Sequence, residues 1–326
     1  MAVYIGTATS RVDGVAKVTG AAKYAAEFNV PDLAHACAVC SAIAKGRIAH
    51  IDTRAAARVE GVFAVLTHEN RPPMADNVEA YKDDVAPHGS PFRPLYDNRS
   101  MFDGQPIALV VAETSEIARF AASLVQVKYD KEAHVTDVYR QRDAAVPVKA
   151  PTNPVEALFT PPKPRGTPDQ ALAAAAVRHE AEYFVPIEHH NPMELYASTV
   201  IYEGGGKLTV YDKTQGVQNV QKYLCGVFGM KPNDVRVMSP FMGGGFGSGL
   251  RPQCQVMLAV LAALALERSV RLVLTREQMY TLGYRPAMIQ RIAIGANEHG
   301  MLDAITHDAV TITSQYEQFH LLSFLY

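Results

Sequence analysis

Met242-Gly243-Gly244-Gly245-Phe246-Gly247-Ser248-Gly249 decides the reading of this chain. Five of its eight residues are glycine, with one aromatic among them. Glycine reaches positive φ without steric cost and lets another molecule approach the backbone. Successive N–H groups in such a loop form a concave nest that binds oxyanions. The run follows the strand-like Val235-Arg236-Val237-Met238-Ser239 and precedes a helix-like segment, a good place to hold an anionic group. It fits neither common nucleotide fingerprint. Ser248, Leu250 and Pro252 stand at the third-glycine positions of G-x-G-x-x-G, and Leu250 rather than lysine follows Gly249. Taken alone, the run reads equally as a tight turn or a barrel corner.

Its neighbours change that reading. Upstream stand His190-Asn191-Pro192-Met193-Glu194 and Thr214-Gln215-Gly216; downstream come Leu274-Thr275-Arg276-Glu277 and Gly283-Tyr284-Arg285-Pro286. In this order and spacing the segments resemble the large, molybdopterin-binding subunit of the xanthine dehydrogenase and aldehyde oxidase family, in particular bacterial aldehyde oxidoreductases. Towards the N-terminus, Arg11-Val12-Asp13-Gly14 through Thr19-Gly20, Lys45-Gly46-Arg47-Ile48, Gly61 to Thr67 and Gly104-Gln105-Pro106-Ile107-Ala108 are similar to the family's α/β hammerhead domain. The likeness runs over roughly residues 10 to 318.

The resemblance implies an α/β (α+β) fold: an N-terminal α/β hammerhead domain over 1–145, a proline-rich linker over 146–170, and the first part of a molybdopterin-binding domain over 171–326. The linker expectation also stands on the residues themselves. Pro147, Pro151, Pro154, Pro161, Pro162, Pro164 and Pro168 crowd one window, and proline opposes helix interiors and central strands. Exposed linkers of this kind are preferred sites of proteolytic nicking.

For the site, the resemblance implies that Gln215 hydrogen-bonds an oxo ligand of molybdenum, and that Gly243, Gly244, Gly245, Phe246 and Gly247 surround the metal end of the pterin. Without it, Gln215 would read as a polar residue at a helix start and Phe246 as core packing. Leu250 stands where purine-oxidising relatives carry a glutamate that binds the heterocycle. A leucine there leaves purine polar groups unpaired, at about 1–3 kcal/mol each, and points to aldehydes. Arg251 is expected at the active-site entrance or at the start of the following helix. No protein metal ligand is expected, because the dithiolene holds the metal. His189, His190 and Glu194 do not have the H-E-x-x-H spacing of a zinc helix. No G-x-S-x-G elbow is present to support a serine hydrolase.

The implied reaction is oxidation of an aldehyde to a carboxylic acid by hydroxylation with water. The implied cofactor is molybdenum–molybdopterin in its cytosine dinucleotide form, with iron–sulfur clusters and FAD on partner subunits. The family's catalytic glutamate lies beyond the end of this chain, so no catalytic residue is assigned. The sequence is therefore expected to be an incomplete large subunit that works with a missing C-terminal portion, and inactive alone. The alternative is a non-catalytic remnant or scaffold that retains the fold without stable cofactor. The expected location is cytoplasmic, or periplasmic by co-export with a signal-bearing partner.

Other features are plain. At a net charge of −2, with basic residues scattered, nothing attracts nucleic acid or a membrane surface. No run of about 18 apolar residues occurs. Four cysteines in 326 residues do not make a disulfide scaffold. Cys37-Ala38-Val39-Cys40 has redox-motif spacing, but its apolar, strand-like setting reads as buried small hydrophobes. Ile107 to Ala112 suits a buried strand, Ser115 to Leu124 a helix capped by Thr114, and Val125 to Tyr129 a half-buried strand, a βαβ-like texture. Further on, Gln218 to Phe228 and Cys254 to Leu266 read as helices, and Gln290–Gly295 with Ala304–Thr313 as an antiparallel pair.

Overall fold

Cys254–Leu266 is a helix with almost no polar face, and its first ten residues are all buried. Such a helix must lie inside a domain. In the computed structural model, which describes residues 5–86, 88–147, 165–314 and 317–318, it covers a seven-stranded sheet. The strand order is Val235–Met238, Leu208–Asp212, Ala197–Tyr202, Val270–Val273, Ala34–Cys40, Pro106–Ala112, Val62–Thr67. Two neighbouring pairs are parallel: Ala34–Cys40 with Val270–Val273, and Leu208–Asp212 with Val235–Met238. The other pairs are antiparallel. Pro106–Ala112, flanked on both sides, is buried at all seven positions, as its unbroken apolar run predicts.

The helix Ser115–Ser123 starts where expected, with the Thr114 hydroxyl accepting from the Ile117 N–H. The βαβ expectation needs correction. Pro106–Ala112 belongs to the seven-stranded sheet, whereas Gln126–Lys131 pairs antiparallel with Gly46–Asp52 in a separate three-stranded sheet. The second strand is mostly exposed; it alternates because it lies on a sheet with one wet face.

Two compact units emerge. One comprises the described parts of Met1–Asp84, Arg93–Lys131 and Asn191–Leu282; the other those of Val85–Phe92, Glu132–His190 and Gly283–Tyr326. They interleave along the sequence. The first unit's sheet draws strands from both sides of that window. Residues 148–164, most of the expected linker, lie outside the described residues.

The second unit is built on an antiparallel sheet with Met288–Ala296 between Val177–Val185 and Leu302–Thr311. The hairpin turns at Asn297 to Met301, closed by Asn297 N–H to Met301 O at 3.0 Å, where the sequence predicts it. The helix Pro168–Ala174 packs on this sheet through Leu172 against Ala293 and Ala304. Cys37 and Cys40 are free thiols in the strand Ala34–Cys40; burial pushes the Cys40 thiol up to about 11, which keeps it protonated and unreactive.

Candidate functional site

Leu208–Asp212 and Val235–Met238 are adjacent and parallel. Their C-terminal ends therefore lie at the same edge of the sheet, and the segments that follow must meet. This is why Thr214-Gln215-Gly216 touches the glycine run. The Gln215 N–H donates to Gly249 O at 2.8 Å. The Gly249 N–H donates to Gln215 Oε1 at 3.1 Å, and the Thr214 hydroxyl donates to Gly249 O at 3.1 Å. With its oxygen committed to Gly249, the Gln215 amide has its NH2, a pure donor, left for another acceptor. Gln215 is exposed, so those donors are available to an acceptor.

The loop itself is held open by unusual dihedrals. Gly244 and Gly247 have φ of +97° and +91°, and Phe246 sits at +53°. A phenylalanine in the left-handed region costs about 1–3 kcal/mol, and its ring is 73% exposed. Among the described residues, the N–H groups of Gly244, Gly245, Phe246 and Gly247 meet no acceptor. Four consecutive donors on a strained loop make a concavity suited to an oxyanion or a polar, electron-rich cofactor edge. Two positions have no room for a side chain: a Cβ on Gly245 would lie 2.5 Å from Gln215 Oε1, and one on Gly243 would lie 2.7 Å from the Glu194 Cβ.

Glu194 clamps the loop's first residue. Its Oε2 accepts from the Gly243 N–H at 2.7 Å and its own N–H donates to Gly243 O at 3.0 Å. Burial raises its carboxyl pKa, opposed by the Gly243 and Ala25 N–H groups that donate to it. The preceding bend is fixed by Arg276, whose guanidinium donates to Asn191 Oδ1 at 2.8 Å, to Met193 O at 2.8 Å and to Pro192 O. Glu194 is thus a loop anchor. Of the histidines, His189 packs against the Tyr284 ring at 5.9 Å.

Beneath the loop lies a buried polar cluster. Asp212 accepts from Ser198 Oγ at 2.6 Å and Gln255 Nε2 at 3.2 Å through one oxygen, while Oδ2 has no partner among the described residues. Lys213 is 1% exposed, with its ammonium 4.4 Å from the centre of the Tyr196 ring. Burial pushes the Asp212 carboxyl up to about 6, against the pull of Ser198, Gln255 and Lys213. The folded state thus holds a proton that the unfolded chain has released, and stability falls as pH rises through this window. Between pH 4 and 7 this group removes about 3 kcal/mol, taking 1.36 kcal/mol per unit. Urea unfolding at pH 4.5 and 7.5 should show that Asp212→Asn gains stability relative to wild type at the higher pH. An unchanged difference would remove Asp212 as the source.

The run's far end is tied elsewhere. Leu250 is 50% exposed beside it. Arg251 is partly buried, and its Nε donates to Asp83 Oδ2 at 2.7 Å. The structure brings Gln215 against Gly245 and Gly249, seats Gly243 on Glu194, and leaves Phe246 and Leu250 open. The sequence does not single out Lys213 or Asp83, and it gives Arg276 a place in a motif but no role, because each acts through backbone or a distant partner.

Comparison with known proteins agrees with this architecture. Residues 19–133 match the a/b hammerhead domain of aldehyde oxidase and xanthine dehydrogenase, and residues 149–324 match the molybdopterin cofactor-binding domain. The aldehyde oxidoreductase molybdenum-binding subunit PaoC of Escherichia coli K12 is 36% identical over 94% of this chain and 40% of its own length. The xanthine dehydrogenase molybdenum-binding subunit of Escherichia coli O157:H7 is 28% identical over 94% of this chain and 41% of its own. Among solved structures, the aldehyde oxidoreductase of Desulfovibrio gigas superposes with a TM-score of 0.76 at 25% identity, over 92% of this chain and 34% of that one. Quinoline 2-oxidoreductase of Pseudomonas putida 86 shares the fold, with a TM-score of 0.78 at 22% identity over 95% and 39% of the two chains. The chain spans about two fifths of the length of these curated relatives. No helix among the described residues is long and apolar enough to cross a membrane. With both domain matches in family order and the glycine loop seated between its two clamps, the chain belongs to the aldehyde oxidase and xanthine dehydrogenase family of molybdopterin-binding oxidoreductases.

Proposed function

We propose that this chain forms the cofactor-loop portion of a molybdenum-dependent oxidoreductase that converts aldehydes to carboxylic acids. The observation that carries the reading is the Gln215 amide, its oxygen fixed by Gly249, beside four loop N–H groups that meet no acceptor among the described residues. These residues fit an anionic, oxygen-rich cofactor. Gly243, Gly244, Gly245, Phe246 and Gly247 would cradle it, and Gln215 would donate to an oxygen on it. When bound, the molybdenum group supplies the redox chemistry. The chain supplies position: glycine backbone for close approach, Glu194 and Arg276 to hold the loop, and Phe246 to keep water from one side.

Leu250 favours aldehydes over purines. It offers no hydrogen bond to a heterocycle, whereas an aldehyde needs only an apolar wall. The cytosine dinucleotide form of the cofactor, and electron transfer to iron–sulfur and FAD groups on partner subunits, complete the proposal. They are supported by the likeness to bacterial aldehyde oxidoreductases.

The test is steady-state kinetics on the assembly formed with the remaining large-subunit sequence and both partner subunits, in a host that makes the cofactor. An aromatic aldehyde should show the higher kcat/KM, and Leu250→Glu should shift preference towards hypoxanthine by at least about tenfold. A higher kcat/KM for hypoxanthine in the wild type would overturn the aldehyde assignment. Background molybdenum content in that assembly would favour the cofactor-free scaffold instead.

A further inference from the structure

The segment Ala75–Asp84 lies along the helix Val217–Phe228. Ala75 N–H donates to Val227 O at 2.9 Å, and a Cβ on Gly226 would come within 2.8 Å of Ala80 O. Asn77 caps the single turn Val78–Tyr81 through the Ala80 N–H. At the end of this strap stands Asp83, whose side chain is 2% exposed. One oxygen takes the Arg251 Nε–H at 2.7 Å and the other takes Asn219 Nδ2 at 3.3 Å. Asn219 Nδ2 also donates to Leu250 O at 3.1 Å, while its Oδ1 accepts from the Asp84 N–H at 2.9 Å.

A carboxylate this buried is costly unless charge and hydrogen bonds compensate it. Here the compensating groups come from two segments distant in sequence, the first turn of the helix and the end of the glycine loop. Asp83 thereby joins the hammerhead-matched region to the backbone on either side of Leu250's carbonyl. The bidentate-capable guanidinium fixes direction as well as distance.

We propose that Asp83 is a positioning residue for substrate selection: through Arg251 and Asn219 it sets where Leu250 stands at the mouth of the site. The substrate part of this inference rests on the proposed aldehyde reading; the positioning part does not. Leu250 is half exposed and follows a loop rich in glycine, and its N–H donates only back into that loop, to Gly247 O at 3.2 Å. Its location is inherited from the Asp83 network.

The experiment is hydrogen exchange by mass spectrometry on the full chain, comparing wild type, Asp83→Asn and Asp84→Asn. Asp84→Asn breaks only the exposed ion pair with Lys222 and serves as the control in the same strap. Asp83→Asn should raise exchange in the 247–251 backbone by at least about tenfold while leaving the sheet strands protected; Asp84→Asn should leave 247–251 unchanged. Unchanged exchange there in Asp83→Asn, or an equal rise across the whole unit, overturns the proposal. In the loaded assembly, Asp83→Asn should alter the kcat/KM ratio between bulky and small aldehydes through KM, with kcat for the smaller one retained. If wild type turns over no aldehyde, the function reading fails, while the exchange result still decides the positioning role.

Discussion

Residues 1–145, produced alone, are expected to remain unfolded, and a chain nicked between 146 and 170 is expected to travel as one particle. The strand Ala34–Cys40 lies inside the seven-stranded sheet, and one of its two neighbours is Val270–Val273, more than two hundred residues away in sequence. Removing the second half strips that strand's edge. It also removes the helix Cys254–Leu266 and the helix Val217–Phe228, against which the Ala75–Asp84 strap lies. Each large apolar side chain that loses its cover costs about 1.5–3 kcal/mol. A handful of them exceeds the total stability of about 5–15 kcal/mol that a domain possesses. Circular dichroism and urea titration of the fragment should show no cooperative transition. Limited proteolysis followed by native size exclusion should return both pieces at the intact elution volume. A cooperatively folded 1–145 fragment would mean that the sheet's first half closes on itself.

That interleaving marks the limit of what the sequence reveals here. Elements whose signals are local are readable: the all-apolar helix Cys254–Leu266, the Thr114 cap, the glycine stop after Phe228, the hairpin around Gly300. Gly229 adopts φ +65° and accepts the chain's exit from its helix. The pairing of Ala34 with Val270 has no local signature, since both strands look like any short apolar run. The same is true at the site. The glycine loop and Gln215 stand out because several motifs occur in one order. The anchoring role of Glu194 and the presence of Asp83 do not show, because a carboxylate bonded to a buried N–H or guanidinium looks the same in sequence as one in water. The ion pair of Arg251 with Asp83 has no local signature either, since the two are more than 160 residues apart in sequence.

Gly245→Ala is expected to abolish most of the site's capacity while sparing the fold. The new Cβ would fall 2.5 Å from Gln215 Oε1 and 2.6 Å from its Cδ, closer than any real contact. Gln215 is exposed and unbranched, so its side chain can swing into solvent. The Gly249 N–H then loses its acceptor, a cost of about 1–3 kcal/mol, which a domain of ordinary stability survives. Gly243→Ala is different: its Cβ meets the Glu194 Cβ at 2.7 Å and the Glu194 backbone at 3.5 Å, neither of which can move without releasing the loop. That variant should fold poorly. Gly245→Ala should instead keep a thermal transition within a few degrees of wild type, but lose the fixed donor that Gln215 presents. A preorganised donor of this kind is worth about 10²–10³-fold in turnover, and its loss should lower molybdenum content in the assembled protein as well. Gln215→Ala should match it in both readouts, and combining the two substitutions should add nothing, because they remove the same interaction. A Gly245→Ala protein with normal metal content and turnover, or a double variant whose losses multiply, would separate the glycine from Gln215 and leave the loop's geometry to some other contact.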